Sequence, residues 1–142
     1  MKREPMGDSP PFPDGRAWLA LEQIQLPPEP EAVREAREIA ARLCAATALP
    51  PAVCETAILL TSEIVTNAVV HARTPAQVTI LAAPIMIRVE VVDADPDLPA
   101  IKPPSAQRLN GRGLHLVEAC ASRWGVEQRA DGKVVWFEIE AA

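Results

Sequence analysis

The chain has 142 residues, enough for one domain with a real core and too few for two ordinary ones. Hydrophobic residues make up 49%, which excludes disorder over most of the length. The net charge of −5 leaves no basic footprint for nucleic acid or an anionic membrane, although backbone N–H groups and a metal could still neutralise a phosphate-bearing ligand.

Residues 1–16, "MKREPMGDSPPFPDGR", are Pro-rich and aperiodic, and read as a flexible tail ahead of one domain over 17–142. No run of about 18 apolar residues is legible, and no apolar leader follows Lys2 and Arg3, so a soluble, cytoplasmic protein is expected. "AWLALEQIQL" (17–26) alternates as a strand does, and "PPEPE" stops it. From Glu31, the residues Val33, Ala36, Ile39, Ala40 and Leu43 recur at helical spacing. "LPP" (49–51) closes that helix and opens the next, which runs from about Ala52 to Ala72. "AQVTILAA" and "IMIRVEVVD" predict two strands with a tight connection near Pro84. The 94–110 stretch has no pattern of its own, as expected of a functional or mobile loop. "GRGLHLVEACAS" opens a short helix, and "WGVEQR", "ADGK" and "VVWFEIE" predict a closing hairpin. The three cysteines, Cys44, Cys54 and Cys120, have no C-x-x-C spacing and are expected to be reduced thiols. The order β-α-α-β-β-α-β-β predicts an α+β fold, with helices stacked on one face of a largely antiparallel sheet.

Three features point to chemistry. Glu63, Asn67 and His71 stand four residues apart in an otherwise apolar helix, so each step turns the helix by only about 40° and the three form one stripe. Such a stripe either satisfies neighbouring loops or faces a ligand. In the second strand of the central pair, Ile85, Ile87, Val89 and Val91 form the inward row, and Asp93 continues it with an acid. An Asx turn is the alternative there, since "DADPD" is rich in turn formers. Gly111 and Gly113 precede a helix start, where a close backbone approach and free N–H groups suit an anion; taken alone, G-x-G is a weak signal and a simple helix entry is the better explanation.

Taken together and in this order, the motifs resemble the histidine kinase-like (GHKL, Bergerat-fold) ATP-binding domains, and within them the anti-sigma factor serine/threonine kinases. "SEIVTNAVVHA" is similar to that family's N box, "VEVVDADPDLP" to its G1 region, "GRGLHLVEACASRWGV" to its G2 region and "GKVVWFEIE" to its closing hairpin. The resemblance spans about residues 17–142 and implies a two-layer sandwich, with a mostly antiparallel mixed sheet of about five strands and three helices on one face. It implies ATP and Mg²⁺ as cofactors. Asn67 would hold the metal, and Glu63 would be the catalytic base toward a substrate serine. Asp93 would accept from the adenine amino group, and Gly111, Arg112, Gly113 and Leu114 would lie at the triphosphate under a 94–110 lid. His71 joins the nucleotide-binding set by its place on the stripe. The implied partners are a sigma factor and an anti-anti-sigma factor, with room for a homodimer and no role for nucleic acid or membrane. The sequence departs from the family at Asp93-Ala94-Asp95-Pro96-Asp97, which lacks the G1 glycines, and at "GKVVW", which lacks a hairpin threonine. A non-catalytic binding module of the same fold is therefore the alternative to a kinase.

Overall fold

A computed structural model describes residues 18–95 and 112–141. The 1–16 tail, Gly111 and all of the expected lid beyond Asp95 lie outside them, as does the side chain of Arg112. The described elements are β1 (Ala20–Leu26), α1 (Glu31–Ala46), α2 (Pro51–Thr66) running into a π turn (Asn67–His71), β2 (Ala76–Ala83), β3 (Met86–Asp93), α3 (Arg112–Cys120), β4 (Arg123–Arg129) and β5 (Gly132–Glu140).

Each helix forms where its periodicity and its punctuation agree. α1 buries Ala32, Ala36, Ile39, Ala40, Leu43 and Cys44 along one side. It ends where the Thr47 hydroxyl donates back to the Leu43 carbonyl at 2.8 Å and Ala48 takes the left-handed conformation at φ 60°. α2 starts on Pro51, whose missing N–H is no loss in a first turn. From Pro51 to His71 the helix has 21 residues and is apolar and long enough to cross a bilayer, contrary to the expectation that no such run exists. Here Ala57, Leu60, Ile64, Val65, Ala68 and Val69 are instead buried in the core of the domain.

The sheet order is β1-β2-β3-β5-β4, and every described pair is antiparallel. The mixed sheet expected from the resemblance is thus wholly antiparallel among the described strands. The reason is the β4–β5 hairpin, which turns the chain around so that β5 lies against β3 in the opposite sense.

Register sorts the side chains of the sheet into two faces. Val78, Ile80 and Ala82, then Ile87, Val89 and Val91, then Val135, Phe137 and Ile139 share one face. They join the helices in a single core, and Phe137 is its largest fully buried side chain. Ile85, read as part of the inward row, lies in the β2–β3 turn and is exposed. The other face carries Leu81, Arg88, Trp136 and Glu138, with a small separate cluster of Ala83, Met86 and Trp18. Gly125 has no room for a side chain, because a Cβ there would stand 2.8 Å from the Trp136 indole nitrogen.

Candidate functional site

The helix-facing row of β3 ends in Asp93, which is buried. Its register partner across β5 is Lys133, the first inward residue of that strand. The Lys133 ammonium donates to Asp93 Oδ1 at 3.1 Å, with the two side chains only 7% and 4% exposed. Lys133 Nζ also donates to the Asp95 carbonyl at 3.3 Å. The Asp95 N–H in turn donates to the same Asp93 Oδ1 at 2.9 Å. Both sequence readings of Asp93 therefore hold at once: it is an inward acid and it caps an Asx turn.

Gly132 makes this pairing possible. A Cβ at that position would lie 1.9 Å from the Asp93 carbonyl oxygen, so only glycine lets β5 enter the sheet beside the end of β3. A cleft of about 320 Å³ opens at this end of the sheet, with Asp93, Arg129 and Lys133 among its walls. Gln25 and Gln77, which also line it, belong by register to the face away from the helices. Its lining among the described residues includes neither Glu63 nor Asn67.

The stripe on α2 lies beside this layer. α2 packs against α3, β3 and β5. Its fully buried positions are Ala57, Leu60, Thr61, Ile64 and Val65, which leaves Glu63 and Asn67 half-buried on the flank. Glu63 and Asn67 thus stay within reach of solvent. His71 is exposed. The helix widens at Asn67, where the Ala72 N–H reaches back five residues to the Asn67 carbonyl at 2.9 Å. A wider turn changes the angle per residue, so the even drift of about 40° assumed for the stripe does not hold beyond Asn67. Single π turns inside α-helices are frequent at functional sites, and this one starts on the candidate metal ligand.

Leu114 is 1% exposed and packs in the core with Val117, anchoring the start of α3. Gly111 and the side chain of Arg112 lie outside the described residues. The residue that sequence reasoning missed is Lys133. A signal for it existed: "KVVWF" alternates so that Lys133 shares the inward row of Val135 and Phe137. The register that sets it opposite Asp93 was not legible.

Residues 26–139 match the family described as the histidine kinase-like ATPase domain. The chain belongs to that family. ATP is accordingly the ligand that this ATPase domain implies. The ATPase domain is 46% identical over 68 residues to the uncharacterized protein SCO4941 of Streptomyces coelicolor, a match covering 46% of this chain and 65% of that protein. The fold is also that of a solved structure, the RsbU and RsbW domains of Rv1364c from Mycobacterium tuberculosis, with a TM-score of 0.65 at 20% identity. That likeness covers 85% of this chain and 32% of the other, so the chain spans about a third of that solved chain and just under two thirds of the curated relative.

The Asp93 carboxylate has one oxygen engaged by its neighbours among the described residues, since the hydrogen bonds they make to it both fall on Oδ1. Among the described residues no three His, Cys, Asp or Glu side chains converge on a metal position. An ion at Asn67 would thus take most of its oxygens from phosphate and water, as Mg²⁺ commonly does.

Proposed function

We propose that this chain is an ATP-binding regulator of the anti-sigma factor kinase type, which transfers phosphate to a serine or threonine of an anti-anti-sigma partner and sequesters a sigma factor in the cytoplasm. The observation that carries the reading is the placement of Glu63 and Asn67 one helical turn apart, half-buried and accessible, on a helix packed against the strand that Asp93 terminates. Asn67 offers its amide oxygen to Mg²⁺, which when bound neutralises phosphate charge. Asp93 orients the adenine through its amino group. Glu63 accepts the proton of the acceptor hydroxyl; phosphoryl transfer otherwise depends mainly on positioning and charge stabilisation. Gly111, Arg112 and Gly113 would line the triphosphate from the start of α3, and Leu114 fixes that helix from below.

Glu63→Gln tests the reading. It nearly preserves shape and removes basicity, so ATP and partner binding should persist while phosphotransfer falls by about 10²–10⁴-fold. A wild type that transfers nothing but still binds the partner would identify the non-catalytic module. That second reading draws support from the Lys133 ammonium seated on Asp93. A companion measurement is Mg²⁺-dependent ATP binding, which Asn67→Ala should reduce to its metal-independent part. Identical ATP affinity with and without Mg²⁺ in the wild type would remove Asn67 from the metal site.

A further inference from the structure

The nucleotide site carries a cation of its own at the point where a base would be read. Lys133 Nζ stands 3.1 Å from Asp93 Oδ1 and 3.8 Å from Asp95 Oδ2, and it also donates to the Asp95 carbonyl. The Lys133 side chain is 7% exposed, so little water is available to replace these partners. The neutral amino group of adenine is a weaker donor to a carboxylate than an ammonium is. Adenine therefore cannot take Oδ1 without displacing a charge-assisted bond and stranding a buried cation. It is confined to Oδ2, on a carboxylate whose charge is already partly neutralised.

The same ammonium changes which base edge fits. A lone carboxylate accepts from the adenine amino group and repels the carbonyl oxygen that guanine carries at the equivalent carbon. An ammonium beside that carboxylate offers the carbonyl a donor, while the carboxylate can still accept from the guanine ring N–H. We propose that Lys133 is a specificity-determining residue: it competes with adenine for Asp93 and relaxes discrimination between adenine and bases that present a carbonyl at the same edge. The inference rests on the nucleotide-binding reading of Asp93. It does not depend on whether Glu63 is catalytic.

The test is calorimetric titration of the full chain with ATP and with GTP, on wild type, Lys133→Gln and Lys133→Arg. Lys133→Gln keeps a neutral donor and removes the charge, and it should bind ATP about tenfold more tightly, a change of ~1.4 kcal/mol. GTP should gain nothing, so the ATP-to-GTP preference should widen by at least the same factor. Lys133→Arg keeps the cation and should keep the wild-type weakness and low selectivity. A folded Lys133→Gln protein with unchanged or weaker ATP affinity overturns the proposal. A wild type that already prefers ATP over GTP by a hundredfold or more overturns it without any variant, and so guards against a Gln protein that does not fold. In both of those cases ATP still binds and the nucleotide reading stands. If neither wild type nor Lys133→Gln binds any nucleotide, the inference and the reading fall together.

Discussion

Both faces of this sheet bury ions, and they do so in opposite ways. On the face away from the helices, Glu138 accepts from Arg88 Nη1 at 2.6 Å through one oxygen and from Arg123 Nε at 2.8 Å through the other. Arg88 Nε donates to Glu90 at 2.7 Å, and its guanidinium lies 4.2 Å from the centre of the Trp136 ring. The planar fork of arginine suits such saturation, since several donors are held in fixed directions. On the helix face, Lys133 and the Asp95 N–H both converge on one oxygen of Asp93. Lysine is a point charge on a flexible stem and can give way. A carboxylate with both oxygens claimed by arginines is part of the scaffold. One with a single oxygen engaged among the described residues, at the wall of a cleft, can be a reader.

The strongest way to break this comparison is Arg88→Met, which leaves Glu138 to Arg123 alone and takes the buried guanidinium away from Glu90. Removing one partner of a buried ion network typically costs about 3–5 kcal/mol, so the urea midpoint should drop sharply while the folded fraction keeps its ATP affinity. A loss under about 1 kcal/mol would mean that the closed face is a surface feature after all.

Asp93→Asn sharpens the contrast. It leaves Lys133 facing a neutral amide and should cost roughly 2–3 kcal/mol of stability, less than the Arg88 change because a hydrogen bond can survive. Unlike Arg88→Met, it should also weaken ATP binding by about tenfold or more, measured by titration under conditions where both variants are folded. Equal ATP affinity in the two variants would erase the distinction between the faces.

A third test concerns the helical layer, away from either ion cluster. Burial, and then the neighbouring Cys54 thiol, push the Cys44 thiol up to about 12. The unfolded chain loses that proton near pH 8.5–9, so between there and about 12 the folded state holds more protons than the unfolded state. Stability from this group is complete below about pH 9 and falls as the pH rises through that window. Subtracting the alkaline stability curve of Cys44→Ala from that of wild type should expose the slope. At neutral pH the exposed Cys120 should react with a thiol reagent well before Cys44.

The smallest expected effect is a gain. Ala48 ends α1 at φ 60°, a conformation that costs a non-glycine residue about 1–2 kcal/mol. Ala48→Gly should raise stability by about 1 kcal/mol and leave nucleotide binding alone, which thermal melts can resolve. A change in ATP affinity there would imply that the helix layer, and not the Asp93 end of the sheet alone, sets recognition.

The sequence by itself determined the order of elements, the amphipathic faces of α1 and of the central strands, and the candidacy of Glu63, Asn67 and Asp93. These follow from local periods: two residues per repeat in a strand and 3.6 in a helix, punctuated by Pro and Gly. Tertiary structure decided what local period cannot encode. The π turn at Asn67–His71 breaks the 3.6-residue rule on which the three-residue stripe was drawn, and His71 comes out exposed. The alternation of β3 marked Arg88 and Glu90 as facing away from the helices, yet they are buried because Glu138, fifty positions on from Arg88, is its hydrogen-bond partner across β5. Lys133 meets Asp93 forty positions away for the same reason, since strand register is set by the whole sheet and by one glycine that admits β5 beside β3.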